Sequence, residues 1–79
     1  MDKMVFILEL KVRKFDAQSV VLTAVGAEDI DYLYDVAKRN VNDEYDLILK
    51  TFENGIPVEV SLYQPDKEDF KVIMCYEKE

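Results

Sequence analysis

Seventeen carboxylates, one thiol and no histidine make up the reactive inventory of this 79-residue chain. Without histidine, Ser-His-Asp and Cys-His arrangements cannot be assembled, and zinc sites built on histidine or cysteine pairs go with them. Cys75 is the single cysteine, in the strand-like run Val72-Ile73-Met74-Cys75-Tyr76. With no imidazole to activate it, it reads as a small packed hydrophobe in a protein of a reducing compartment. Gly26 and Gly55 are the only glycines, so neither a Gly-rich phosphate loop nor a dinucleotide fingerprint can be written. Asp29, Asp31 and Asp35 resemble oxygen ligands for a cation, but they do not meet the EF-hand register, with its central Gly and its Glu at position 12. They read as a solvated helix face, and no metal or cofactor is expected. General acid catalysis by a carboxyl pair needs a pKa raised by burial in a cleft, for which a one-core domain has little room. The expectation is a protein that is not an enzyme.

What so many acids can do is present charge. The net charge is -7, and it collects in one place. Residues 28–46 carry Glu28, Asp29, Asp31, Asp35, Asp43, Glu44 and Asp46 against Lys38 and Arg39 alone. Such a surface repels phosphate backbones and anionic lipid, so no direct nucleic-acid or membrane contact is expected. Its natural complement is another protein with a basic surface. The longest apolar run, Met4 to Leu8, falls far short of the ~18 to 20 residues that span a bilayer, and no signal peptide or anchor is read. A cytoplasmic protein is expected.

The acids need an element to hold them, and residues 27–41 supply it. Ile30, Leu33, Tyr34, Ala37 and Val41 recur at helical spacing, which aligns them as one apolar stripe. Glu28, Asp29 and Asp31 lead the segment and Lys38 and Arg39 close it, as the helix dipole favours. Tyr32 falls off the stripe, beside Glu28, Val36 and Arg39, where an exposed aromatic could anchor an interface.

Strands surround this helix. Residues 4–14 alternate Phe6, Leu8, Leu10 and Val12 with Glu9, Lys11 and Arg13, while Val5 and Ile7 make the first half apolar on both faces. The polar stretch 16–19 reads as a turn into a second, β-branched strand over 20–25, with Gly26 as a hinge into the helix. Residues 45–53 fit a helix or a strand. Strand is preferred, because Asn54-Gly55 suits a two-residue type I′ turn and the following residues 56–63 alternate. Pro57 should stand at a strand start or on an edge. After a polar turn at 64–69, residues 70–77 read as a last strand.

The sum is one α+β domain over residues 1–79, with an antiparallel sheet of four to five strands in the order ββαβββ and one helix on one face. That order resembles the β-grasp, or ubiquitin-like, arrangement. The chain ends Tyr76-Glu77-Lys78-Glu79, with no Gly-Gly tail, so the resemblance does not imply conjugation.

A single helix leaves one sheet face uncovered. The helix side is expected to hold Phe6, Leu8, Leu10, Leu22, Val58, Val60, Leu62, Val72 or Ile73, and Met74. The free side is expected to hold Val5, Ile7, Val21, Thr23, Val25, Tyr63 and Cys75, beside Glu9, Lys11, Glu59 and Ser61. Within that set, Val5, Ile7, Val21 and Tyr63 are the candidate dimer or partner surface. On the helix side of the molecule, Glu28, Asp31, Tyr32, Asp35, Asp43 and Glu44 are the candidate partner-binding set. Two readings follow. One is a protein-binding module or small inhibitor using these surfaces, with a homodimer among its options. The other is an acidic inhibitor that imitates nucleic acid in the groove of a DNA- or RNA-binding protein. Small acidic phage proteins, anti-CRISPR proteins among them, are similar in size and charge.

Overall fold

A computed structural model describes residues 3–13, 19–42 and 44–76, with the backbone alone at 13, 19, 20 and 22. The elements are β1 (Met4–Arg13), β2 (Ser19–Ala27), α1 (Ile30–Arg39), β3 (Tyr45–Glu53), β4 (Ile56–Gln64) and β5 (Asp69–Cys75). They form one antiparallel five-stranded sheet, ordered β2-β1-β3-β4-β5, with the helix on one face. The α+β class and the ββαβββ order are as the sequence implied; every neighbouring pair of strands is antiparallel, and the likeness to the β-grasp arrangement stops at the order of elements.

β3 resolves the ambiguous segment. Its register with β1 runs unbroken from Met4 opposite Glu53 to Val12 opposite Tyr45, so side-chain alternation in the two central strands stays in phase. Leu8 and Leu10 face Leu49 and Leu47, and all four are buried. The turn that follows has Asn54 at φ 53° and Gly55 at φ 81°, the two positive values a type I′ hairpin requires. The polar stretch at 16–18 and the end of the chain beyond 76 lie outside the described residues.

The helix is shorter than its apolar period. Asp29 is the N-cap, its side chain accepting from the Asp31 N–H at 2.9 Å. Asn40 closes the other end: its N–H donates to the Ala37 carbonyl and its Nδ2 to the Val36 carbonyl at 2.7 Å. An amide side chain bonded back to the last turn competes with further helix, so the chain departs there. Val41, expected on the stripe, lies past the cap and is exposed. Gly26 is no hinge either. It sits within β2 opposite Ile7, at negative or extended φ.

The core lies between α1 and the sheet. Leu33 and Ala37 of the helix join Leu8, Leu10, Leu47, Leu49 and Tyr63, with Phe6, Val25, Ala27, Ile30, Val36 and Phe70 packed around them. Burying each such leucine contributes about 1.5 to 3 kcal/mol, which makes this cluster the main source of stability. Two T-shaped ring contacts extend it toward β5: Phe70 stands 5.0 Å from both Tyr34 and Tyr63.

Tyr63, Thr23, Val25, Glu59, Val60, Ser61, Leu62, Met74 and Cys75 correct the expected faces, and β-bulges are the reason. The hairpin at Asn54-Gly55 starts β4 with Glu53 opposite Ile56 and Phe52 opposite Pro57. Continued unbroken, that register would set Leu49 against Val60. Instead the register shifts between Thr51 and Phe52, passing over Val58, and Leu49 faces Ser61. A one-residue shift turns every later side chain to the other face. Tyr63 therefore enters the core, while Val60 and Leu62 fall on the uncovered side. In β2 the shift between Leu10 and Lys11 passes over Leu22, so Val25 opposite Leu8 faces the helix and Val21 opposite Lys11 does not. Pro57 is the second residue of β4, the strand-start position its missing N–H favours.

Candidate functional site

Helix α1 is ten residues long, or about 15 Å, and its outer face carries the predicted acids. Asp31, Tyr32 and Asp35 are exposed along it, and Tyr32 keeps 53% of its surface in water. Glu28 lies before the N-terminus. Glu44 lies beyond the C-terminus, in the turn where its N–H donates to Asn42 Oδ1 at 2.8 Å. The set therefore runs along the helix as a row rather than a cluster. Asp43 lies outside the described residues.

The row is less negative than its count of acids. Arg39 Nη2 lies 2.8 Å from Asp35 Oδ2, and Lys3 Nζ lies 3.3 Å from Glu28 Oε1. These pairs are solvent-exposed and contribute little stability, but each offsets a carboxylate that a basic partner would meet. Asp31 keeps its charge unpaired among the described ion pairs, next to Tyr32.

The second surface is the uncovered sheet face. Val5 and Ile7 are half-buried there and Val21 is exposed; Tyr63 is not part of it. The register adds residues that the sequence reading missed: Ile48, Lys50 and Phe52 of β3, and Val60 and Leu62 of β4. Residues 45–53 fit a helix as well as the preferred strand, and β3 was given no face in the sequence reading. Its signal was the unbroken alternation of Leu47, Leu49 and Thr51 with Ile48, Lys50 and Phe52.

At the centre of this face a carboxylate lies between two ammonium groups. Glu9 Oε1 is 3.1 Å from Lys50 Nζ and 3.8 Å from Lys11 Nζ. The contact to Oε1 is close but poorly directed, and the hydrogen bond from Lys50 goes to Oε2 at 3.3 Å. The Glu9 side chain is largely buried, so screening by water is weak and the three charges hold one another in place. The face is thus apolar with a charged centre, where Asp46 of β3 also stands opposite Lys11.

The Tyr34 hydroxyl is held above its ordinary pKa, first by burial and then by donation to Asp69 and the nearby Asp69 and Asp31 charges. This favours its neutral, donating form. Among the described residues no three of the His, Cys, Asp and Glu type gather as a metal site, and no helix is long and apolar enough to cross a membrane. The concavities are shallow; the one beside Tyr45 and Pro65 encloses about 240 Å³, under the usual range for small-molecule sites.

The chain matches no protein-family model, no curated protein and no solved structure.

Proposed function

We propose that this protein is a non-enzymatic binding module, or small inhibitor, that docks on a larger protein through the outer face of α1 and the uncovered sheet face. The observation that carries this reading is Tyr32. It stands 53% exposed between Asp31 and Asp35, on a helix whose other side is spent on the core. Aromatic side chains ringed by polar groups are the usual anchors of interfaces. The acids around it favour a partner with a basic surface, and Val5, Ile7 and Val21 offer apolar area on the far side of the molecule.

The test is capture of binding proteins from the native host by the full chain, read by mass spectrometry, followed by binding measurements with the captured protein. Tyr32→Ala with Asp31→Lys is expected to weaken binding by roughly tenfold to a hundredfold with an unchanged circular dichroism spectrum. Binding that is untouched by these changes and by Ile7→Glu sinks the proposal. Affinity that falls steeply with salt and is competed by duplex DNA or RNA would reassign the acidic row to nucleic-acid mimicry.

A further inference from the structure

β5 closes one side of the sheet, and among the described residues it pairs with β4 alone. Its residues from Lys71 to Cys75 are all exposed, although successive strand side chains point to opposite faces. Neither layer therefore covers this strand beyond Phe70. Val72, Ile73 and Met74 are 46, 53 and 46% exposed. An edge so apolar is a template for pairing unless charge, proline or a bulge blunts it, and here only Lys71 and the bulge at Ile73 do so.

We propose that β5 pairs with β5 of a second copy of this chain, antiparallel about a two-fold axis between Val72 and Ile73, to form one continuous ten-stranded sheet. The bulge itself selects that register. Lys71 and Met74 stand opposite Leu62 and Val60, on the uncovered face, while Phe70 and Cys75 stand opposite Tyr63 and Glu59, on the helix side. With the axis between Val72 and Ile73, Lys71 of each copy meets Met74 of the other, and Phe70 meets Cys75. Both pairs then share a face, and no like charges oppose one another. The strand is complementary to itself, which is what an isologous contact needs. The dimer uses neither the α1 row nor Val5 and Ile7, so it stands or falls apart from the partner-binding reading.

Sedimentation equilibrium of the full chain, under reducing conditions, is expected to give twice the 9.2 kDa chain mass at high concentration and the chain mass on dilution. Met74→Lys sets lysine against Lys71 across both symmetric contacts and removes two apolar side chains. It is expected to weaken the dimer on the order of a hundredfold. Met74→Glu, which gives Lys71 an opposite charge, is expected to retain it. Met74 is exposed, so both variants should keep the native circular dichroism spectrum. As a second line, Lys71→Cys with Met74→Cys and Cys75→Ser should cross-link between copies on oxidation, because directly opposed strand residues lie about 4.5 to 5.5 Å apart. A chain that remains monomeric at all concentrations overturns the proposal, as does a dimer that the two Met74 variants weaken equally. A dimer that dissociates on Ile7→Glu and not on Met74→Lys also overturns it, in favour of the uncovered face.

Discussion

The Tyr34 hydroxyl donates to Asp69 Oδ1 at 3.1 Å, tying the middle of α1 to the first residue of β5, while the same oxygen accepts the Phe70 N–H at 2.8 Å. One carboxylate oxygen thus fixes the start of the edge strand and the tilt of the helix. Tyr34→Phe keeps the ring contact with Phe70 and removes the hydroxyl. It is expected to cost about 0.5 to 1.5 kcal/mol in urea unfolding, nearer the lower end because the site is partly solvated.

The same pair gives a pH dependence with a definite sign. Folding raises the Tyr34 pKa above its ordinary value of 10.0, so the folded state favours the neutral phenol. The stability this brings is complete below pH 10 and is lost as pH rises from there through the folded-state pKa. Unfolding midpoints between pH 9 and pH 11.5 are expected to fall more steeply for the native chain than for Tyr34→Phe. Parallel curves for the two proteins would show that Tyr34 does not contribute.

Leu33 is the helix residue that the core depends on. It is fully buried, as is Leu8 beneath it. Leu33→Ala is expected to cost about 2 to 5 kcal/mol. A domain of this length has only about 4 to 12 kcal/mol in total. The melting transition should therefore drop sharply or be lost, whereas Tyr32→Ala on the opposite side of the same helix should leave it within about 0.5 kcal/mol.

Glu9 lies between Lys11 and Lys50 on the uncovered face, and Glu9→Gln removes the carboxylate the two ammonium groups share. The expected cost is about 1 to 2 kcal/mol, growing as salt is lowered. Replacing Lys50 by Met in the same chain should recover part of it. A double-mutant cycle that gives no coupling would show that the three charges act independently.

The two glycines should respond in opposite ways to alanine. Gly55, at φ 81° with open space around it, is in the left-handed region, and Gly55→Ala is expected to cost about 1 kcal/mol for backbone strain. At Gly26 an added Cβ would meet only ordinary contacts, the Phe6 carbonyl oxygen at 3.9 Å and Ile7 Cγ1 at 4.0 Å. Gly26→Ala is expected to be neutral, or to stabilise by about 0.4 to 1 kcal/mol. Thermal unfolding of both variants measures this directly.

The kinds of element and their order are legible along the chain, because these rest on local signals. A 3.6-residue period and terminal charges mark α1, two-residue alternation marks the strands, and Asn54-Gly55 marks a hairpin. The acidic row is legible there as well, since Asp31, Tyr32 and Asp35 follow from the helix period alone. Tertiary structure decided which side of each strand faces the helix. Alternation has two phases, and β4 is apolar enough in both: Val58, Val60 and Leu62 in one, Tyr63 in the other. The choice was made by bulges between Thr51 and Phe52, between Leu10 and Lys11, and between Val60 and Ser61. A bulge is a relation between two strands distant in sequence, and one residue of shift reverses every face beyond it. For that reason Tyr63, expected on a binding surface, lies in the core. Met74, expected under the helix, lies on the open side of an uncovered edge.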